Sequence, residues 1–117
     1  ISPGGAVVTG AHELPNSYVI HTLGPVYGKD KPEEELLASC YSQSLKLAEE
    51  NGVKSIAFPA ISSGAFGYPL EKAATVALET IKAEIPHLGS VKTIRFVLFS
   101  DPDKEIYEQL MDEVFSE

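Results

Sequence analysis

The stretch Ser55-Ile-Ala-Phe-Pro-Ala-Ile-Ser-Ser-Gly-Ala-Phe-Gly-Tyr-Pro69 decides how this chain is interpreted. Its first part is apolar and predicts a buried strand over Ser55–Ala60, and a helix is expected to begin at Leu70. The turn between them is rich in glycine and serine, so it brings backbone N–H groups to a helix N-terminus, an arrangement that binds phosphate oxygens. We therefore predict a phosphate or pyrophosphate site there. The alternative is a tight turn that needs glycine only for its backbone.

The residues on either side of this stretch predict an α/β chain in which strands alternate with helices. The predicted strands are Ala6–Thr9, Tyr18–Leu23, Ser55–Ala60 and Thr93–Phe99, and a loop is expected over His12 to Asn16. The predicted helices run from Glu33 to Asn51, from Leu70 to about Ile85, and onward from a cap at Ser100 or Asp101. Such a chain folds through right-handed crossovers with parallel strands, and its ligands bind at the carboxyl edge. The loops after Leu23, Ala60 and Phe99 should therefore meet there.

Two further expectations concern burial. The strand Thr93–Phe99 is nearly continuous in apolar residues, which is typical of a strand covered on both faces. Cys40 falls within the apolar pattern of the first helix, which favours a packing role over that of a nucleophile.

Composition excludes several classes of function. The chain has 117 residues, with 9 Lys and Arg against 17 Asp and Glu, for a net charge of −8. One domain of this charge is not expected to bind nucleic acid or an anionic membrane. A single cysteine and the lack of a long apolar run predict a cytoplasmic protein. The histidines share no ligand spacing, so no metal is predicted. No cofactor is predicted either.

Named catalytic and phosphate motifs are absent. The chain has neither G-x-x-x-x-G-K-[ST] nor G-x-G-x-x-G, and the segment before Gly64 lacks the first glycine of a serine-hydrolase elbow. A nucleophilic Ser63 with His21 or His12 as its base stays as an alternative. His21 is otherwise expected to be a hydrogen-bonded core residue. Phe99 is either a core residue or an aromatic platform for a base.

Three segments resemble the latter part of a macrodomain: Val19–Pro25, Ile56–Pro69 and Phe96–Asp101. They follow one another in the family's order and with compatible spacing. The nearest branch contains O-acetyl-ADP-ribose deacetylases and mono-ADP-ribosyl hydrolases. The resemblance implies a three-layer α/β/α fold with mostly parallel central strands, and it implies ADP-ribose or an ADP-ribosylated protein as the ligand.

The resemblance also assigns site residues. Ser63 to Phe66 match the second phosphate loop of the family, in which Phe66 would flank the distal ribose. Phe99 matches the position that stacks on adenine, and Ser100 and Asp101 are placed on the adenosine side. The ligand-binding residues implied are Ser62, Ser63, Gly64, Ala65, Phe66, Gly67 and Phe99.

The sequence departs from the family pattern at its beginning. It has no Gly-Asp-Ile/Val segment, no Asn-Ala-Ala-Asn strand and no Gly-rich first phosphate loop, and these carry the residues that position the catalytic water. Residues 1–117 are therefore expected to be the C-terminal portion of one macrodomain. We expect this chain alone to bind ADP-ribose weakly and to hydrolyse nothing, and a complementing chain or segment to complete the sheet.

The intact protein is expected to recognise ADP-ribose and to remove it from proteins or to hydrolyse O-acetyl-ADP-ribose. Two alternatives stay open. The protein is a non-catalytic module that reads ADP-ribosylated partners, or the glycine-rich turn is only structural.

Overall fold

A computed structural model describes residues 1–10, 18–64 and 66–116, and its elements have the predicted α/β order. The strands are β1 (Ala6–Gly10), β2 (Tyr18–Thr22), β3 (Ser55–Phe58) and β4 (Thr93–Phe96). The helices are α1 (Glu33–Glu50), α2 (Leu70–Glu84) and α3 (Asp101–Phe115), with a short 3-10 helix at Ile85–His87. The predicted loop over His12 to Asn16 lies outside the described residues.

The strands form two pairs. β1 runs antiparallel to β2, with Ala6 opposite Thr22. β3 runs parallel to β4, with Ser55 opposite Thr93, which is the parallel pairing expected across a helical crossover. Within the described ranges no ladder joins β2 to β3, so the four strands make two separate two-stranded sheets.

The helix ends follow the sequence signals. Gly52 closes α1 with a φ of +66°, and the Val53 N–H donates to the Ala48 carbonyl at 2.9 Å, as in a Schellman motif. At the start of α3, the Ser100 hydroxyl accepts from the Asp103 N–H at 3.3 Å. Ser100 is therefore the N-cap of α3. It is one of the two residues predicted for that position, the other being Asp101.

The core consists of two apolar clusters that share α2. The first lies between α1, β3 and α2, and the second lies between α2 and α3. Alanines on both sides of α2 let the neighbouring helices approach closely. The buried members of the first cluster are Leu37, Cys40, Tyr41, Leu45, Phe58, Ile61, Tyr68, Ala73, Ala77 and Ile81. Those of the second are Ala74, Leu78, Tyr107 and Leu110.

One face of β4 carries exposed side chains. This corrects the expectation that the segment Thr93–Phe99 is covered on both faces. Ile94 and Phe96 pack against the first cluster, whereas Arg95 is exposed and Val97 is 56% exposed. The helices of the described residues pack against the Ile94 and Phe96 side. The apolar residues of this segment are therefore covered on one face of β4 and open on the other.

Candidate functional site

The glycine loop, residues 60–69, joins β3 to α2 and is anchored at both ends. Ile61 is 9% exposed and Tyr68 is 2% exposed, and both belong to the first core cluster. Gly64 and Gly67 between them are exposed. Ala65, one of the predicted site residues, lies outside the described residues. The loop thus holds its ends in the core and presents its middle to solvent.

Hydrogen bonds inside the loop reduce the number of backbone N–H groups that could bind an anion. The Tyr68 N–H donates to the Ser62 carbonyl and the Gly67 N–H to the Gly64 carbonyl, each at 3.0 Å. The Ser63 N–H donates to a loop carbonyl at 3.4 Å. These three donors are therefore engaged inside the loop and are not available to an anion.

Two donors near the tip remain available. The N–H groups of Gly64 and Phe66 donate to no acceptor within residues 1–10, 18–64 and 66–116. A Cβ added at Gly64 would meet no atom of this described part of the chain within 4 Å. An oxyanion can therefore approach this backbone closely, as a glycine position in a phosphate loop requires.

Ser62 has an unusual conformation for a residue with a side chain. Its φ is +66°, and its hydroxyl oxygen is buried with no partner in the described part of the chain. Such a conformation costs on the order of 1–3 kcal/mol and persists only where the surroundings enforce it. The strain lies in the predicted phosphate loop, where it fixes the path of the backbone.

The loop that follows β2 packs directly against the glycine loop. A Cβ at Gly24 would lie 2.7 Å from Cγ2 of Ile61 and closer still to the Ser62 hydroxyl. The Tyr27 N–H donates to the Phe66 carbonyl at 2.9 Å. The loops after β2 and β3 therefore meet, as the parallel topology predicted. The sequence around Gly24 carries no signal for this contact, because its partners Ile61 and Ser62 lie far along the chain.

Phe99 follows β4 at the same edge. Its neighbour Leu98 and Ala60 of the glycine loop both pack against the second core cluster. The Phe99 side chain is 93% exposed. The interpretation of Phe99 as a core residue is therefore wrong, and its ring is free to stack on a ligand. Ser100 caps α3, and Asp101 beside it is exposed.

The serine-nucleophile alternative finds no support in the geometry. The Ser63 hydroxyl donates to the Ala60 carbonyl at 3.0 Å. A His21 ring nitrogen is 3.0 Å from the Thr9 hydroxyl, so His21 is hydrogen-bonded as expected, but it is exposed and not a core residue. His12 lies outside the described residues. Ser63 and His21 are therefore hydrogen-bonded to other residues and not to one another.

Cys40, the one cysteine of the sequence, packs in the core. Cys40 is fully buried, its thiol donates to the Leu23 carbonyl at 3.3 Å, and burial raises the pKa of the thiol. The predicted packing role of Cys40 is confirmed.

Among the described residues no group of three or more His, Cys, Asp or Glu could hold a metal ion. In the same ranges no helix is long and apolar enough to cross a bilayer.

A cleft of about 1220 Å³ opens between β2 and β3. Its walls are residues 18–24 and 52–62, and Ser44 of α1 also lines it. Ser62 and Phe66 of the glycine loop line the cleft as well. The cleft and the glycine loop are therefore continuous.

Comparison with known proteins agrees with this geometry. The family model named Macro domain matches residues 1–77. A macro domain-containing protein of Caldanaerobacter subterraneus is 50% identical over 112 residues, and an O-acetyl-ADP-ribose deacetylase of Klebsiella pneumoniae is 46% identical over 110 residues. These alignments cover 95% and 93% of this chain and 63% of each relative.

The solved structures agree. A macrodomain of Oceanobacillus iheyensis determined with ADPR superposes with a TM-score of 0.92 at 35% identity, covering 100% of this chain and 63% of that one. The chain thus spans less than two thirds of the length of these relatives. The family model, the sequence relatives and the solved structure all point to one family. The chain belongs to the macro domain family.

Proposed function

We propose that the glycine loop binds the diphosphate of ADP-ribose through backbone N–H groups and that Phe99 stacks on the adenine. The observation that carries this proposal is the loop tip, where the Gly64 and Phe66 N–H groups donate to no acceptor among the described residues and where a Cβ at Gly64 would meet none of their atoms within 4 Å. Support comes from the relative whose structure was determined with ADPR. Ser62, Ser63, Ala65 and Gly67 complete the proposed binding segment. Ser62 contributes its backbone, because its hydroxyl is buried.

We further propose that the whole protein hydrolyses ADP-ribosyl groups on proteins or O-acetyl-ADP-ribose. The Klebsiella pneumoniae relative, named an O-acetyl-ADP-ribose deacetylase, supports this activity. A non-catalytic reader of ADP-ribose is the second candidate. One observation favours it for this chain taken alone: Ser63 and His21 are hydrogen-bonded to other groups. Turnover of an ADP-ribosylated protein by the full-length protein separates the two.

Titration calorimetry with ADP-ribose tests the binding proposal, and Gly64 provides a matched pair of variants. Gly64→Glu places volume and negative charge where the diphosphate would lie, so we expect binding to be lost. Gly64→Ala should retain binding, because its Cβ meets nothing within 4 Å and the φ of Gly64 is not in the left-handed region. Circular dichroism should show both variants folded.

The result that would overturn the binding proposal is equally direct. A folded wild-type chain that gives no heat with ADP-ribose contradicts it. Unchanged affinity in Gly64→Glu would place the ligand elsewhere and refute the loop assignment.

A further inference from the structure

The loop after β2 holds the glycine loop through one residue, Tyr27. The Tyr27 N–H donates to the Phe66 carbonyl at 2.9 Å. The Tyr27 ring packs against the ring of Tyr68, with the ring centroids 4.8 Å apart and the ring planes tilted by 57°. Tyr27 thus contacts the glycine loop with its backbone and with its side chain. Both contacts fall on the segment that runs from the tip of the loop back into the core.

The peptide group between Phe66 and Gly67 is fixed at both of its polar atoms. Its carbonyl oxygen accepts from the Tyr27 N–H, and its N–H, which belongs to Gly67, donates to the Gly64 carbonyl at 3.0 Å. Gly67 has a φ of +76°. Because glycine adopts φ values of either sign, this peptide group could rotate if one of its two hydrogen bonds were lost. The bond from Tyr27 therefore restrains a part of the loop that is otherwise free to change conformation.

The donors proposed for the diphosphate lie beside this restrained peptide group. The N–H groups of Gly64 and Phe66 donate to no acceptor in the described part of the chain. The Phe66 N–H belongs to the same residue as the carbonyl that Tyr27 holds. A mobile tip must lose conformational freedom when an anion binds, and that loss weakens binding. A tip that is held beforehand avoids it.

Tyr68 gives Tyr27 a firm anchor. The Tyr68 side chain is 2% exposed and belongs to the first core cluster. Tyr27 is 38% exposed, so its ring covers the outer side of Tyr68. Tilted aromatic rings at this separation attract one another. The ring contact therefore links the loop after β2 to the core.

The loop after β2 is itself structured on both sides of Tyr27. The Asp30 carboxylate accepts from the Val26 N–H at 2.9 Å, and the Asp30 N–H donates to the Val26 carbonyl at 2.9 Å. The Glu33 carboxylate, in the first turn of α1, accepts from the Gly28 N–H at 2.9 Å. These bonds involve no residue of the glycine loop. Tyr27 is therefore presented to the glycine loop by a segment that keeps its own shape.

We propose that Tyr27 is a positioning residue, which holds the tip of the glycine loop in the conformation that binds the diphosphate. It acts through its hydrogen bond to Phe66 and its packing on Tyr68. This inference rests on the proposed function, because it assigns a role within that same site. Tyr27 needs no contact with the ligand for this role. It raises the fraction of molecules whose tip is ready to bind, and the apparent affinity follows that fraction.

The first test compares two variants of Tyr27 in the full-length protein, with circular dichroism to show that each is folded. Tyr27→Ala removes the ring contact and weakens the tether. Its ADP-ribose affinity, measured by calorimetry, should fall by about two- to tenfold, the range that corresponds to the loss of one aromatic pair. Tyr27→Phe should bind as the wild type does, because it keeps both the ring and the N–H.

The amide of Gly67 reports on the tip in the absence of ligand. In Tyr27→Ala its NMR chemical shift should move and its hydrogen exchange should quicken, because the N–H spends time away from the Gly64 carbonyl. Saturating ADP-ribose should return both to the wild-type values, since the ligand selects the held tip. A residue that only adds stability would lower the melting temperature when truncated and leave this amide and the affinity unchanged.

A second pair of variants reaches Tyr27 from its own loop and replaces the first pair if Tyr27→Ala does not fold. Asp30→Ala removes the carboxylate that holds the Val26 N–H and leaves the Tyr27 side chain intact. It should change the Gly67 amide and the ADP-ribose affinity in the same direction as Tyr27→Ala. Asp30→Asn keeps an acceptor oxygen and should resemble the wild type more closely.

Three results separate failure of this proposal from failure of the proposed function. Unchanged ADP-ribose affinity in the folded Tyr27→Ala and Asp30→Ala variants would overturn the positioning role. An equal loss of affinity in Tyr27→Phe and Tyr27→Ala would also overturn it, because the hydroxyl and not the ring would then matter. A wild-type protein that does not bind ADP-ribose would instead overturn the proposed function. The Gly67 amide would still show whether Tyr27 holds the tip, since that measurement needs no ligand.

Discussion

Gly24 is the residue at which the loop after β2 touches the glycine loop. Its position has no room for a side chain, because a Cβ would lie 2.7 Å from Cγ2 of Ile61 and closer to the Ser62 hydroxyl. Ser62 already holds a φ of +66°. Any added volume must therefore displace a backbone that is strained and in contact with the core.

We expect Gly24→Ala to destabilise the chain by about 1–3 kcal/mol, the usual cost of overpacking. It should also weaken ADP-ribose binding, because the displaced residues belong to the proposed phosphate loop. Urea denaturation and calorimetry measure the two effects. Gly10→Ala is the matched control, since its Cβ would meet no atom of the described residues within 4 Å, and it should change neither quantity by as much. Full stability in Gly24→Ala would contradict the close packing described here.

Truncation of Phe99 can distinguish a ligand contact from a packing role. Its ring is 93% exposed, so truncation removes little from the core. We expect Phe99→Ala to lower ADP-ribose affinity by roughly 1–3 kcal/mol, the value of one stacked base, and to leave the melting temperature nearly unchanged.

Phe115→Ala is the control for Phe99→Ala, because Phe115 is also partly exposed but lies at the far end of α3. Its affinity for ADP-ribose should equal that of the wild type. A fall in melting temperature for Phe99→Ala with no loss of affinity would mean that the ring packs and does not bind.

At the scale of elements, one carboxylate ties the end of α1 to the segment before β4. Glu49 accepts from the N–H groups of Gly89 and Val91 at 2.7 Å and from the Ser90 N–H and hydroxyl at 3.0 Å. These bonds, led by that from Val91, lower the pKa of Glu49 from about 4.5 to about 2. The carboxylate lies in the last turn of α1, where the helix dipole is unfavourable to it. The hydrogen bonds more than offset that effect.

The hydrogen-bonded Glu49 carboxylate, which we call the Glu49 clamp, makes the free energy of unfolding depend on pH. A carboxyl whose pKa is lower in the folded state stabilises the fold fully above its unfolded pKa, near 4.5. The contribution is lost as pH falls from there towards about 2. We expect Glu49→Gln to be less stable than the wild type at pH 7 and the difference to shrink across that range. Urea denaturation at several pH values measures it.

Glu50→Gln provides the comparison, because Glu50 is exposed on the neighbouring position of α1. Its stability should follow that of the wild type at every pH. A Glu49→Gln variant whose stability differs from the wild type by the same amount at pH 7 and pH 2 would refute the clamp.

Helices were predictable from this sequence because their signals are local. The acids of the first turn of α1, the glycine that ends it and the serine that caps α3 each act within a few residues. The roles of Gly24 and Glu49 were not predictable, because their partners lie far along the chain. The exposure of Arg95 and Val97 could not be read from the sequence either, since an apolar run does not say how many faces are covered.

The candidate site divides in the same way. The glycine loop and its junction with α2 could be identified from Gly64, Gly67 and Pro69. Which N–H groups stay free could not, because this depends on bonds such as that from Tyr68 to Ser62, which form only in the folded turn.

At the scale of the whole molecule, charge opposes the proposed ligand. The chain carries a net charge of −8, and ADP-ribose is itself an anion. A site built from lysines and arginines loses affinity as salt screens the attraction. A site built from backbone N–H groups in an acidic protein should not.

We therefore expect ADP-ribose affinity to hold or to rise when the sodium chloride concentration is increased, because salt screens the repulsion. Calorimetry at low and high salt measures this. Arg95→Gln tests the one arginine of the sequence, which lines the cleft. A steep loss of affinity with salt that Arg95→Gln removes would show that a cation and not the main chain holds the phosphates.

Ile61, Ser62 and Phe66 belong to the glycine loop and also line the cleft between β2 and β3. Ile61 is at the same time a buried member of the first core cluster. A molecule that occupied the cleft would therefore touch the backbone that we propose as the diphosphate site. Thermodynamic reciprocity would then require the occupant of the cleft and ADP-ribose to alter the affinity of one another by one common factor.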